Sequence, residues 1–289
     1  MLYVFLSICC SVIVSILLKL AKRYQIDVFQ AITWNYSMAI VLTWLFFKPH
    51  LNNLLLSPGY IYGLLGILLP LLFVIVAISI RNTGIVRTEL AQRVSLFIPI
   101  LASFLLFDEK PTLLKIAGIT LGFVAILCAI PWKKERYKSQ KAPANAWLYL
   151  LIVFIGMGVI DILLKRMSEY NGMSFTSSLF MVYVTAFVLS VLILFYRFST
   201  KKSKFSWPHI MFGWILGVAN FGNILFFIKA QQSLSTRPSL VFSINDIGII
   251  VLGAFVGLFI FREKLSLLNK IGIAIAIAAI AIIYLPNHF

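Results

Sequence analysis

Three acids stand inside long apolar runs of the sequence, Glu89, Asp161 and Asp246, and among the bases Arg93 is the deepest. A charge at depth in hydrocarbon is costly, and one that is kept pairs with another charge, carries a proton or meets a charged substrate. Arg93 lies about nine residues into its run and Asp246 about eight into its own, roughly 13 and 12 Å of helical rise. If the two runs enter from opposite faces, both side chains come near the middle of a ~30 Å hydrocarbon core. A guanidinium is suited to a carboxylate, and a carboxylate to an ammonium or a proton. A site with both signs therefore suits a zwitterion such as an amino acid. Glu89 precedes Arg93 by one helical turn on the same face, so the two can also pair. The competing reading is an internal salt bridge, Arg93 to Glu89 or Asp246, that only holds the bundle together. Asp161 is a candidate for proton coupling, against the alternative of a pair with Lys165 one turn on.

The elements that must position these groups follow from composition. The chain has 289 residues, is 61% hydrophobic and only 12% charged, and has a mean hydropathy of +1.00. Soluble domains run near 45–50% apolar and about 25% charged. The apolar residues come in blocks of roughly twenty, the length that spans hydrocarbon as a helix. Ten such blocks are read: 2–21, 28–47, 61–80, 84–107, 113–131, 147–166, 175–197, 209–229, 238–261 and 267–285. The expected fold is all-α, a polytopic membrane protein. The net charge of +16 is assigned to basic residues at span ends, which orient helices and meet headgroups. The lipid bilayer is thus an expected partner and nucleic acid is not. Cys9, Cys10 and Cys128 show no metal spacing, so they are read as packing residues, with neither metal nor cofactor expected.

The chain repeats. Phe107-Asp-Glu-Lys-Pro-Thr-Leu-Leu-Lys-Ile-Ala-Gly118 aligns with Phe261-Arg-Glu-Lys-Leu-Ser-Leu-Leu-Asn-Lys-Ile-Gly272 at an offset of 154, and Ile16-Leu-Leu-Lys19 aligns with Ile162-Leu-Leu-Lys165 at an offset of 146. This divides the chain into a first five-helix repeat (1–131), a basic linker (132–146) and a second five-helix repeat (147–286). Five is odd, so the second half must enter the membrane from the opposite side. Inverted repeats of this kind typify secondary transporters, with the substrate site between the repeats near midplane. At the offset of 154, Asn245-Asp246 falls on Ala91-Gln92, beside Arg93.

The residues closing each half, Pro99, Glu109-Lys110, Gly118 and Gly122, then Gly253, Glu263-Lys264 and Gly272, resemble the drug/metabolite transporter superfamily, specifically its EamA-type ten-helix members. The resemblance runs over nearly the whole chain. It implies a bacterial inner-membrane, multi-pass carrier without an ATP-binding domain, whose fourth and ninth helices border a central cavity. On that basis Arg93, Gln92, Asn245, Asp246 and Glu89 are expected to face the cavity, with Asn223 either lining it or bonding between helices. The second half departs from the first in carrying Gly253 where the first has Pro99, so the two helices need not bend alike. Glu109 and Glu263, in short turns beside a lysine, are read as structural. The small-residue pairs Gly118/Gly122, Gly213/Gly217 and Gly253/Gly257 let helices approach closely, within one chain or in a homodimer.

The expected function is secondary transport of a small polar or zwitterionic, amino-acid-like metabolite by alternating access. A multidrug or cation exporter and a lipid-carrier flippase are the alternatives. An enzyme is not expected: His50, His209 and His288 lie at span edges or the chain end, away from any acid in sequence.

Overall fold

Hydrocarbon supplies no partner for a peptide N–H or C=O, so an apolar chain must bond its backbone to itself. The computed structural model describes residues 1–49, 59–83, 85–129, 145–170, 174–200, 205–260 and 266–284, and among them finds helix and no strand. The helices are α1 (Leu2–Arg23), α2 (Val28–Phe47), α3 (Gly59–Thr83), α4 (Ile85–Val94), α5 (Phe97–Leu105), α6 (Leu113–Ala129), α7 (Ala146–Glu169), α8 (Phe175–Ser199), α9 (Trp207–Ser233), α10 (Pro238–Phe259) and α11 (Leu267–Tyr284). Most of linker 132–146, together with Glu263-Lys264, His50 and His288, lies outside the described residues.

Among the described residues five segments are long and apolar enough to cross a bilayer: Gly59–Ile80, Trp147–Glu169, Phe175–Ser199, Trp207–Ser233 and Pro238–Phe259. The outer surface carries the bulky apolar side chains Leu45, Phe46, Leu105 and Phe195, whereas Gln30, Thr43, Ser177 and Gln231 are buried. That distribution reverses the habit of water-soluble proteins. The chain is a helical membrane protein.

The apolar block expected at 84–107 forms two helices. Pro99 has no N–H to give and its ring clashes with the carbonyl four residues earlier, which is that of Ser95. The chain turns at Ser95-Leu96 between α4 and α5. Its loosened carbonyls are bonded again locally: Ile98 N donates to Ser95 O at 2.9 Å, Leu96 N to Arg93 O at 3.3 Å, and Ser95 Oγ to Gln92 O at 2.6 Å. In the second half, where Gly253 replaces Pro99, α10 runs unbroken from Pro238 to Phe259.

Packing interleaves the two ends of the chain. α2 lies against α8 and α9, α1 against α9 and α10, α3 against α7 and α8, and α6 along α11. Lipid tails are as apolar as leucine, so close fit drives this association more than burial from water does. At the α2–α9 contact a Cβ on Gly213 would lie 2.7 Å from Ala31 O, and one on Gly217 2.7 Å from Asn35 O. Gly118 and Gly122 admit Ile283 and Ile247, so both pairs hold the single chain together. Around Gly253 nothing lies within 4 Å of an added Cβ.

Gly217→Ala should lower the thermal unfolding midpoint in detergent, with overpacking costing about 1–3 kcal/mol. The matched change Gly253→Ala should be neutral or stabilising by up to ~1 kcal/mol, since alanine favours helix over glycine. Equal midpoints for the two variants would remove the close-packing account of α2 and α9.

Candidate functional site

Arg93 sits in the last turn of α4, just before the break, and Asp246 near the middle of α10. Their side chains meet: Arg93 Nη1 donates to Asp246 Oδ1 at 3.3 Å, with side-chain exposures of 17% and 18%. Two features of this pair bear on chemistry. The distance is longer than the 2.7–2.9 Å of a tight charge-assisted bond. Both side chains are largely, but not wholly, buried. Asp161, on α7, lies close enough to Asp246 for their charges to interact, and α7 packs directly against α4. Arg93 of α4 and Asp246 of α10 thus meet, with Asp161 of α7 within reach of the charge on Asp246. Among the described residues no bond or ion pair is made by the Asp161 carboxylate.

The other expected site residues fall as follows. Gln92 is half-buried beside Arg93, and its carbonyl takes the Ser95 hydroxyl. Asn245 is buried, with Oδ1 left without a partner. Asn223 accepts from Ser7 Oγ at 3.0 Å through Oδ1 and at 3.3 Å through its backbone carbonyl, tying α9 to α1. Glu89 lies in α4, and its side chain is outside the described residues. Lys165 does not pair with Asp161. Its ammonium, wholly buried, bonds Ser235 O at 3.0 Å and Glu169 at 3.2 Å, four residues along the same helix. The geometric reason is the helix itself: Nζ reaches toward the α9–α10 turn at the end of α7, away from mid-span. Trp34 and Trp214 pack edge to face at 6.5 Å across α2 and α9, and Trp214 Nε1 donates to Ser37.

A second ionic centre was only partly legible in sequence. Glu109 was expected to be structural beside Lys110; its partner is Lys115, whose Nζ lies 2.8 Å from Oε1. The same carboxylate takes Ser239 N at 2.8 Å and Ser239 Oγ at 2.6 Å. Pro238 and Ser239 begin α10, so Glu109 caps that helix and meets the positive end of its dipole. The signal lay in the repeat, where Lys115 faces Asn269 and has no basic counterpart. Tyr36 and Tyr183, also wholly buried, bring hydroxyls without partners into the α2–α8 core. They stand 147 residues apart, between the two repeat offsets.

Fold and charge placement together define a helical membrane protein with ionic groups of both signs held among apolar helices. No family model matches the chain. It is 38% identical over 285 residues to an uncharacterized protein of Haemophilus influenzae (strain ATCC 51907 / DSM 11121 / KW20 / Rd), covering 96% of each chain, and it belongs to the same family as that protein. A solved structure described as "Crystal structure of protein" superposes with a TM-score of 0.75 over 99% of this chain and 96% of its own, at 14% identity, so the two share a fold.

Removing one member of a buried ion pair strands the other, at about 3–5 kcal/mol. Glu109→Ala should therefore destabilise strongly, whereas Glu109→Leu combined with Lys115→Met should recover much of the loss. Thermal unfolding in detergent reads both; no recovery in the double variant would mean that the cap on Ser239, and not the pair, carries the energy.

Proposed function

We propose that this chain is a secondary transporter resembling the EamA-type members of the drug/metabolite transporter superfamily. It moves a small polar or zwitterionic, amino-acid-like metabolite by alternating access between two inverted five-helix repeats, 1–131 and 147–286, in a bacterial inner membrane. The observation that carries this reading is the Arg93–Asp246 contact with Asp161 in electrostatic reach. Arg93 takes the substrate carboxylate. Asp246 takes the ammonium, and Asp161 an ammonium or a proton.

The helix packing supports the repeat. With α4 and α5 taken as one crossing there are ten, and α1, α2, α3, α4/α5 and α6 correspond to α7, α8, α9, α10 and α11. Under that exchange the α1–α9 contact becomes α7–α3, α2–α9 becomes α8–α3, and α1–α10 becomes α7 with α4/α5. The α2–α8, α6–α11 and α5–α10 contacts map onto themselves, and every one of these pairs is present. The α4–α5 break gives the first half a point of bending beside the charged residues. A long, partly exposed ion pair suits the role, because a substrate bearing both charges can replace each partner's contact in turn. A second carboxylate, Asp161, within reach of the charge of Asp246 is also the observation that favours the runner-up, an exporter of organic cations.

Purified wild type and Arg93→Ala, challenged with amino acids, organic acids, sugars and cationic drugs, test the site by thermal shift. A ligand at a hundred times its dissociation constant adds about 2.7 kcal/mol. Amino acids should stabilise wild type and fail on Arg93→Ala. Equal stabilisation of both proteins would place the site elsewhere. Stabilisation by cationic drugs that survives Arg93→Ala and disappears in Asp161→Asn would select the exporter.

A further inference from the structure

An apolar groove runs along the outer side of α5 where it meets α7. Phe97, Ile98, Leu101 and Leu105 line it from α5 and Phe154 from α7, and the groove, open along its outer side, offers about 390 Å³. No polar side chain lines it. Phe97, Leu101 and Leu105 are exposed although the groove is hydrocarbon throughout. From the break at Ser95-Leu96 the groove follows α5 to Leu106, about 13 Å for nine residues of helix. That is close to one leaflet, half of a ~30 Å core.

At the outer end stands a cation. Arg166 is exposed three residues from the end of the α7 crossing segment. Its Nη2 donates to Leu106 O at 3.4 Å, and its guanidinium lies 4.9 Å from the centre of the Phe107 ring. These contacts fix the head group at the groove mouth while using few of the five N–H donors of a guanidinium. The neighbouring turn adds exposed Lys110 and exposed Asp108. Its other acid, Glu109, is buried and already bonded to Lys115 and Ser239. Glu169, on Arg166's own helix, is engaged by Lys165. The local balance at the surface is positive.

We propose that this groove binds one acyl chain of an anionic phospholipid, with the lipid phosphate held by Arg166. A hydrocarbon slot one leaflet long, ending in a held guanidinium at headgroup level, has the layout of that lipid. A zwitterionic lipid would fill the same slot but bring its own cation to the mouth, which Arg166 opposes. Ile98 reaches through the groove wall onto Gly158 of α7, so a chain lying there presses α5 against α7.

The test uses the full chain, delipidated in neutral detergent, with dioleoyl phosphatidylglycerol or dioleoyl phosphatidylcholine added in mixed micelles. Native mass spectrometry and the thermal unfolding midpoint are the readouts. Wild type should prefer phosphatidylglycerol about fivefold, the effect of one basic group near the headgroups. Arg166→Gln should erase the preference and keep residual binding of both lipids. Leu101→Trp, which fills the slot from an exposed position, should reduce binding of both, and Leu105→Trp serves if that variant fails to fold. Glycerol phosphate should give no stabilisation. Equal binding of the two lipids by wild type, a preference that survives Arg166→Gln, unchanged binding in the tryptophan variants, or Arg166-dependent stabilisation by glycerol phosphate would each overturn the proposal.

Discussion

A charge or a backbone dipole brought into hydrocarbon must find its partner in the protein, and the arrangement of this chain follows from that. Helices arise because only they close their own hydrogen bonds over a whole crossing. What cannot be closed within one helix is closed by another. Glu109 takes the Ser239 N–H at the start of α10 and Lys165 reaches the Ser235 carbonyl, while beside the α4–α5 break the Ser95 hydroxyl donates locally to the Gln92 carbonyl. Each of these sits where a helix begins, ends or breaks. The bundle is thus held by exact fit along helix flanks, as where Gly217 meets Asn35, and by a few polar bonds at helix ends.

The charged groups of α4, α7 and α10 differ from those end-of-helix devices. Glu109 is buried and has a full set of partners, as a structural ion does. Arg93 and Asp246 meet at the longer distance of 3.3 Å and are less deeply buried. That contrast in distance and burial within one molecule is what motivates the proposal that the second pair, and not the first, meets a substrate.

The helices were legible because blocks of some twenty apolar residues have one solution in lipid, and ends such as Val28–Phe47 fell where the composition changed. The proximity of Arg93 and Asp246 was legible from depth and repeat register together with the family resemblance, which puts the fourth and ninth helices beside one cavity. Partner choice was not. Lys165 was weighed as a mate for Asp161, since both lie one turn apart on α7, yet it turns to Glu169 and the α9–α10 turn. Glu109 was seen beside Lys110, its sequence neighbour, whereas the carboxylate folds toward Lys115 and a helix start 130 residues away. Spacing along one helix is readable in sequence; contact between helices distant in the chain depends on packing that sequence spacing does not encode. The difference between Pro99 and Gly253 is the intermediate case: the break appears beside Pro99 and not at Gly253, yet α3 runs unbroken through Pro70, so proline alone does not decide it.

The capping of α10 by Glu109 also has a consequence in time. The carboxylate and Lys115 leave the ribosome together, but Ser239 follows 130 residues later, on the order of ten seconds at ordinary rates of synthesis. Through that interval the early half holds an acid and a base that can answer only each other, and the start of α10, when it arrives, finds an acceptor already waiting. The first turn of α10 therefore depends for its acceptor on a residue made long before it.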